Sequence, residues 1–232
     1  MQKQIVAHRG APKLARENTL ESFQKAIDLG ADMVELDVRQ TLDGVLAVFH
    51  DAKIAGRPIS QITFQELNDI AQKENFIVPT LAQAVGLLAG KVKASIEIKE
   101  MGYELKVAET AKQYLKIDEY EIISFIFPVL EKIGRNYPEV KLKLILGNRF
   151  GRLKQVLDFL FNMTKVLGIV NGFCLHYRLM DFGLHFFIPK NFSITVWTLD
   201  EPGRISKFLK NERVNFITTN YPDLALSLRN NL

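Results

Sequence analysis

The sequence predicts an α/β fold, a (β/α)8 TIM barrel with a β-hairpin extension after strand 2, and three observations support this. The chain has 232 residues, a length at which such barrels form one domain. Eight short β-rich runs recur, and stretches with an apolar residue every three or four positions separate them. This alternation favours a parallel sheet, and eight units are enough to close a barrel. We predict one barrel domain over residues 1–232, with a short insertion at about 45–79.

We assign eight β-rich runs to the barrel. They are residues 4–8, 33–38, 93–99, 121–125, 141–146, 172–177, 193–199 and 215–219. The helical pattern between them is clearest in TLESFQKAIDLG and YELKVAETAKQYLK. No linker rich in proline, glycine or serine divides the chain, which is why a single domain is predicted.

A ninth β-rich run, residues 45–51, follows the second strand too closely to be a parallel strand. A parallel crossover needs about a dozen residues or more. The dipeptide Asp43-Gly44 is instead typical of a hairpin turn. We therefore predict that 45–51 is the antiparallel return arm of a hairpin that extends strand 2. A simple turn would place His50 opposite Asp37, and a bulge would shift this pairing by one residue.

Composition restricts the possible partners. The net charge is +4, and the lysines and arginines are scattered without a block of like charges. We therefore predict no nucleic-acid partner, whereas small anionic substrates are compatible with this charge. A lone Cys174 excludes an intrachain disulfide, and no apolar signal core fits before the first strand. We therefore predict a cytoplasmic location. The oligomeric state is not predicted.

The most apolar late stretch, residues 156–170, is not predicted to be an integral membrane segment. Asp158, Asn162 and Lys165 interrupt it, and it is too short to span a bilayer. We interpret it as a core-facing helix in preference to a helix that lies on a membrane surface.

Carboxylates occupy alternate positions of two predicted strands. Glu35 and Asp37 lie two residues apart, so their side chains share one face, and Glu97 and Lys99 repeat this spacing. Carboxylates that converge at a barrel mouth repel one another unless a cation lies between them. Oxygen ligands favour Mg²⁺ or Ca²⁺, and a set of Asp and Glu without a cysteine and with few histidines argues against zinc. The alternative is a set of salt bridges on solvent-facing positions.

Two histidines end neighbouring β segments of the same region. His8 ends the first strand, and His50 ends the hairpin arm. Because the pKa of histidine lies near neutrality, such a pair can supply a general acid and a general base. For His176, at the end of the sixth strand, and His185 we prefer structural or peripheral roles.

Several motifs together resemble the glycerophosphodiester phosphodiesterase family. In family order, the chain contains AHRG, ENTLESFQKAIDLGADMVELDVRQTLDGVLAVFHD, PTLAQAV, IEIK, SF, VWTLD and ITTNYPD. The block over residues 8–51 is long and specific, whereas residues 126–190 carry little that is diagnostic. The resemblance implies a catalytic TIM barrel that cleaves glycerophosphodiesters into glycerol 3-phosphate and an alcohol.

The resemblance also implies roles for individual residues. It implies metal ligation by Glu35, Asp37 and Glu97, acid–base roles for His8 and His50, and phosphate contacts from Arg9 and Lys99. Arginine suits a phosphate because its planar guanidinium donates two parallel hydrogen bonds. Trp197 is expected to form an apolar wall for the glycerol or the leaving group, or else to be a core residue. By family analogy, either the glycerol 2-hydroxyl or water attacks phosphorus.

The chain departs from the family pattern at three places. Arg16 replaces a common proline, Asn215-Phe216 replaces Asp-Gly before the last strand, and Asp200 stands where many members carry asparagine. In having an acid at position 200, the chain resembles sphingomyelinase D-type phospholipases. Those proteins typically have loops closed by disulfides, and a chain with a single cysteine cannot form one, which argues against that class. We expect the first two changes to alter a loop and the local packing.

Two other functions are considered. One is a lysophospholipase D-type hydrolase of lipid diesters, in which the aromatic stretch FGLHFFIP would contact an acyl chain. The other is a catalytically silent barrel that binds phosphorylated ligands, although a silent protein would be expected to lack a histidine or a ligand, and none is missing here.

Overall fold

The computed structural model describes residues 2–147, 157 and 159–232. The predicted barrel is confirmed: eight parallel strands of the described chain close a ring in the order β1-β2-β6-β7-β8-β9-β10-β11 and back to β1. The barrel strands are β1 (Gln4–Ala7), β2 (Met33–Gln40), β6 (Lys93–Ile98), β7 (Tyr120–Ser124), β8 (Lys141–Leu146), β9 (Gly172–His176), β10 (Ser193–Trp197) and β11 (Phe216–Thr219). β3 (Leu46–Val48), β4 (Lys53–Ile54) and β5 (Arg57–Pro58) lie outside the ring.

Helices surround the barrel and cover its apolar outer face. They are α1 (Leu20–Asp28), α2 (Phe64–Lys73), α3 (Leu81–Leu88), α4 (Glu104–Tyr114), α5 (Phe127–Asn136), α6 (Met163–Leu167), α7 (Tyr177–Asp181), α8 (Pro202–Leu209) and α9 (Pro222–Asn230). Side-chain caps fix where several of them begin. Thr63 and Thr80 each form a capping box with the residue three positions later, which satisfies backbone donors that a helix start leaves free.

The hairpin after strand 2 is present, but its register differs by one residue from the simple prediction. β3 pairs antiparallel with β2, with Val38 opposite Val48, and the backbone N–H of Phe49 donates to the carbonyl of Asp37. Phe49, not His50, therefore lies opposite Asp37. The cause is a three-residue loop, closed by Thr41 and Val45, in which Gly44 has a φ of 78°. Such a loop adds one residue to the two-residue turn that Asp43-Gly44 predicts.

The short insertion supports the hairpin arm. Between β3 and α3 it contains β4, β5, a 3₁₀ turn at Ile59–Gln61 and α2. Its apolar side chains form a small separate core beneath the arm: Ala47, Ile54, Ile59, Ile62, Leu67, Ala71, Phe76 and Val78. This core fixes the segment that carries His50, and the side chain of Arg39 donates to the His50 carbonyl at 2.8 Å.

A buried polar layer fills the barrel interior. Lys143 Nζ lies 2.7 Å from Glu121 Oε2 and also donates to the hydroxyl of Thr195, while Ser95 donates to the other oxygen of Glu121. Lys143 and Glu121 are 3% and 4% exposed. Since both charges are paired and hydrogen-bonded, neither is left uncompensated in the barrel interior below the cavity.

The segment at 156–170 is described only in part. Residues 156 and 158 lie outside the described residues, and α6 covers its second half. Phe159 and Val166 are buried, as a core-facing helix requires, but Phe161 is 86% exposed. In the part of the chain that the structure describes, no helix is long and apolar enough to cross a membrane.

Candidate active site

A cavity of about 570 Å³ opens at the carboxyl ends of the barrel strands. Its charged side chains and two of its histidines come from β1, β2, β6 and the hairpin arm, or directly follow these strands: His8, Arg9, Glu35, His50, Glu97 and Lys99. Its apolar and aromatic side chains come from β7 to β10: Ile123, Phe125, Ile145, Cys174, His176 and Trp197. The cavity is therefore divided into a charged half and an apolar half, and neighbouring strands build each half.

Three carboxylates meet in the charged half. Glu35 and Asp37 alternate along β2, and the parallel register with β6 places Glu97 beside Asp37. One oxygen from each carboxylate lies within 4.8 Å of the others. Their residues are 3%, 0% and 7% exposed. The alternative of solvent-facing salt bridges is therefore wrong.

Two cations lie directly against these carboxylates. Lys99 Nζ is 3.1 Å from Asp37 Oδ1 and 2.7 Å from Glu97 Oε1. Arg9 Nε is 3.1 Å from Asp37 Oδ2, and the Arg9 backbone N–H donates to Glu35 Oε2 at 3.0 Å. The residues predicted to contact phosphate thus also neutralise the acidic cluster, a role that sequence reasoning did not assign to them.

A tight turn brings the Arg9 backbone to Glu35. Arg9 has a φ of 57° and Gly10 a φ of 88°. A Cβ atom on Gly10 would lie 2.4 Å from the hydroxyl of Ser22, so the motif His8-Arg9-Gly10 requires its glycine.

The electrostatics of the cluster fit a divalent cation. Burial, together with the charges of Asp37 and Glu97, raises the pKa of Glu35 well above its usual value. Burial opposes ionisation of Asp37 as well, but Lys99 and Arg9 hold the pKa of Asp37 below its usual range. Glu35 Oε1 is buried and has no hydrogen-bond partner in the described chain. An unpaired buried oxygen beside two other carboxylates is a suitable ligand for Mg²⁺ or Ca²⁺.

The two predicted histidines both line the cavity. His8 Nδ1 is 2.8 Å from the Asn220 side-chain oxygen, and His8 Nε2 lies 3.8 Å from Glu35 Oε2. His50 Nδ1 is 2.7 Å from the carboxylate of Asp51. Burial lowers the pKa of both histidines below the usual value, and the charge of Arg9 contributes for His8. The side chains predicted as the acid–base pair are therefore in one cavity with the carboxylates.

Comparison with known proteins decides the family. The family model for glycerophosphoryl diester phosphodiesterases matches residues 8–224. The chain belongs to this family. Its members are hydrolases of phosphoric diesters, and the resemblance recognised in the sequence is confirmed.

Relatives and solved structures agree with this assignment. A glycerophosphodiester phosphodiesterase of Caldanaerobacter subterraneus is 27% identical over 98% of each chain. The crystal structure of a glycerophosphodiester phosphodiesterase from Thermotoga maritima superposes with a TM-score of 0.79 at 24% identity, over 98% of this chain and 99% of that one. A phosphodiesterase from Oleispira antarctica, solved with the product sn-glycerol-3-phosphate, has a TM-score of 0.76 at 22% identity, over 99% and 97% of the two chains. The fold is that of the family.

Sequence reasoning missed the side chains that hold the predicted functional groups. Asn18 donates to Asp37 Oδ2 at 2.8 Å. Asn220 donates to Asp200 Oδ2 at 2.7 Å, which directs the Asn220 oxygen towards His8. Both asparagines stand inside recognised motifs, ENT and TTNYPD, and Asn220 directly follows the last strand. That position was the available signal, because polar residues after parallel strands meet at one end of a barrel.

Asn220 and Asp200 fix one proton of His8. A carboxylate only accepts, so the Asn220 amide group must face Asp200 and its oxygen must accept from His8 Nδ1–H. Neutral His8 then carries its lone pair on Nε2, on the side of the cavity. Asp200, which stands where many family members carry asparagine, therefore orients His8 indirectly, through Asn220.

We expect Asn220→Ala to lower kcat by roughly two- to tenfold, the equivalent of one net hydrogen bond, with a smaller change in KM. Asp200→Ala should give a similar loss. If both act through His8, the double variant should be little worse than either single variant. Steady-state kinetics of the three variants measure this, and fully additive losses would contradict the positioning role.

Trp197 and His176 each line the cavity and also make structural contacts. Trp197 lines the cavity, but its indole N–H donates to the Cys174 carbonyl at 3.1 Å and its ring packs edge-on against Phe125 and His176. Trp197 is thus anchored like a core residue and still exposes a face to the cavity. His176 lines the cavity as well, while its Nδ1 accepts from the backbone N–H of Arg178 at the start of α7.

The two loop departures have local effects. Arg16 lies over the ring of Phe76 at 4.2 Å and 3.7 Å from Glu74, so it attaches the insertion to the barrel mouth. The side chain of Asn215 accepts from the backbone of Ile194 and links the starts of β10 and β11. Both changes concern packing, as expected.

Proposed function

We propose that the chain, acting as a single catalytic barrel domain, hydrolyses glycerophosphodiesters to sn-glycerol 3-phosphate and an alcohol. The observation that carries the proposal is the charged half of the cavity, where three buried carboxylates, two histidines and two cations converge. Known members of the family and the product bound to the Oleispira antarctica relative support this choice of substrate. A cytoplasmic location remains a prediction from the sequence.

We propose that Glu35, Asp37 and Glu97 hold a divalent ion, Mg²⁺ or Ca²⁺. When bound, such an ion neutralises negative charge on phosphate oxygens and lowers the pKa of a hydroxyl group near it. The unpaired Glu35 oxygen and the raised pKa of Glu35 support this assignment, because both indicate missing positive charge in the cluster. Asn18 and Lys99 orient Asp37, and the backbone of Arg9 orients Glu35.

We assign the general base to His8 and the general acid to His50. Neutral His8 has its Nδ1 proton fixed by Asn220, so Nε2 can accept a proton from the attacking hydroxyl. His50, which is half-buried and paired with Asp51, then donates a proton to the oxygen of the departing alcohol. The attacking hydroxyl belongs either to the glycerol 2-position, which gives a cyclic phosphate that water opens, or to water itself.

Arg9 and Lys99 are proposed to bind the phosphate. The guanidinium of Arg9 donates from Nη1 to Glu17 at 2.9 Å and lies with Nε 3.1 Å from Asp37, so it offers its remaining N–H donors to the phosphate. Arg9→Lys keeps the charge but loses these donors, and we expect kcat/KM to fall roughly 10- to 150-fold, the equivalent of one charged hydrogen bond. Lys99→Met removes charge at similar length and should have a comparable effect. The loss should appear mainly in kcat if the contact forms in the transition state.

Product inhibition provides the matched readout for these two variants. Glycerol 3-phosphate should compete with substrate in the wild-type protein and compete less well in both variants. Lys132→Met, which removes a lysine paired with Glu104 away from the cavity, is the control and should keep normal inhibition. Unchanged kinetics and unchanged inhibition in Arg9→Lys and Lys99→Met would show that neither residue faces the phosphate.

The lysophospholipase D alternative has weaker support. The aromatic stretch at 182–189 contributes no residue to the cavity lining, so it does not form an acyl-chain wall there. The direct experiment compares glycerophosphocholine with lysophosphatidylcholine under identical conditions. We expect faster hydrolysis of the former, and a preference for the lysolipid would favour the alternative. A silent barrel is disfavoured because every predicted functional side chain is present in the cavity.

A further inference from the structure

Large apolar side chains are exposed on the outer side of the barrel around β9. Phe182, Phe186 and Phe187 are 83%, 83% and 61% exposed within six residues of sequence, and Phe161 and Leu157 are also exposed. A single exposed apolar residue needs no explanation, but a cluster of phenylalanines indicates an interaction surface. We call Leu157, Phe161, Phe182, Phe186 and Phe187 the aromatic flank.

The phenylalanines of the α7–β10 connection are held outward by a fixed backbone. Met180, Leu184 and Ile188 alternate with them in sequence and are buried in the main core. Arg213 donates to the carbonyls of Phe192 and Pro189 at 2.9 Å each. The segment is thus anchored on both sides of Phe186 and Phe187, so their exposure is a property of the fold.

The two parts of the aromatic flank belong to neighbouring elements. Phe159 packs against Phe173 of β9 with ring centroids 5.2 Å apart, and Phe173 packs against Phe192 at 6.0 Å. The segment that carries Leu157 and Phe161 and the connection that carries Phe182 to Phe187 therefore each place one phenylalanine, Phe159 or Phe192, against Phe173 of β9.

The charges beside the aromatic flank are predominantly positive. The carboxylate of Asp181 is shared by Lys207 at 2.5 Å and Arg204 at 3.9 Å. Likewise Glu131 is shared by Lys165 at 2.9 Å and Arg135 at 2.5 Å.

Two more cations lie nearby, Arg178 in α7 and Lys190 in the α7–β10 connection. Arg178 and Lys190 are exposed, and within the described chain neither forms an ion pair with a carboxylate. Because Arg204 also pairs with Glu201 at 3.0 Å, three acids meet four paired cations there, and Arg178 and Lys190 add two further positive charges.

We propose that the aromatic flank binds the surface of an anionic lipid bilayer. Phenylalanine side chains insert at the boundary between headgroups and acyl chains, and basic side chains attract anionic headgroups. A second copy of the chain fits less well, because two flanks of the same charge would face each other across the interface. The binding is peripheral and does not depend on the proposed catalytic function.

Co-sedimentation with vesicles tests the proposal. We expect the wild-type protein to sediment with vesicles that contain phosphatidylglycerol, and less with pure phosphatidylcholine or in high salt. The triple substitution Phe182→Ser, Phe186→Ser and Phe187→Ser should weaken binding at least about tenfold, the loss expected from one buried phenylalanine. Phe186→Ser alone should weaken it measurably, whereas Leu42→Ser, at a 64% exposed leucine on the hairpin, should not.

Two controls make the result decisive. Thermal unfolding of the triple variant should match the wild type, because the replaced side chains are exposed. The proposal is wrong if the wild type does not bind phosphatidylglycerol vesicles, or if the triple variant binds them as well as the wild type. It is also wrong if light scattering shows a wild-type dimer that the triple substitution converts to a monomer, since the flank would then be a subunit interface.

Discussion

We expect His8→Ala and His50→Ala each to lower kcat for glycerophosphocholine by about 10²–10⁴-fold, the usual contribution of a general acid or base. Both side chains line the cavity, and neither is part of the apolar core. The melting temperature should therefore change little. Steady-state kinetics and thermal unfolding of the same preparations measure both quantities.

A substrate with a good leaving group separates the two roles. A nitrophenyl diester does not need a protonated leaving oxygen, so it should restore much of the activity of His50→Ala, the acid variant, but not of His8→Ala. The control is His185→Ala, because His185 packs against Phe186 outside the cavity and should be dispensable. Equal losses on both substrates for both variants would remove the support for this assignment.

Removal of a metal ligand should have the second large effect. Loss of a group that only supports a metal ligand weakens metal binding roughly 10–100-fold. We expect Glu35→Gln or Glu97→Gln, which removes the charge of a ligand itself, to weaken metal binding by more than that. Turnover should fall in parallel and recover partly at high metal concentration. Glutamine keeps the shape of the side chain, so the change tests the charge of the ligand.

Thermal unfolding gives a second readout of the same site. Mg²⁺ or Ca²⁺ should raise the melting temperature of the wild-type protein, because a ligand that binds only the folded state stabilises it. Without metal, Glu35→Gln should be at least as stable as the wild type, since burial and neighbouring charges disfavour an ionised Glu35. It should also lose the metal-induced rise. Glu104→Gln, a buried carboxylate paired with Lys132 outside the cluster, should keep it. A normal metal response in Glu35→Gln and Glu97→Gln would contradict the proposed ligands.

The barrel could be predicted because its signals are local. Each strand is a short apolar run and each helix has its own period, so the number and order of the elements follow from neighbouring residues. The shared face of Glu35 and Asp37 follows from strand geometry alone. The hairpin register was less certain, because one additional residue in the loop changes which residue lies opposite Asp37.

Contacts between residues that are far apart in the sequence could not be predicted from it. His8 and Asn220 are 212 positions apart, and their hydrogen bond exists only because the first and last barrel strands are neighbours. The alternation in KLKLIL makes Lys143 look solvent-facing, yet it is buried with Glu121 inside the barrel. Both faces of a barrel strand are covered, so alternation does not show which face meets water.

We propose that the acidic cluster and the histidines hydrolyse glycerophosphodiesters with a divalent ion. The most direct measurement incubates metal-depleted protein with glycerophosphocholine, then restores Mg²⁺ or Ca²⁺, and quantifies sn-glycerol 3-phosphate and choline. We predict no turnover after depletion and equal amounts of the two products once metal is restored. Undiminished turnover after exhaustive dialysis against EDTA, or release of phosphocholine and glycerol instead, would contradict this metal-dependent reaction.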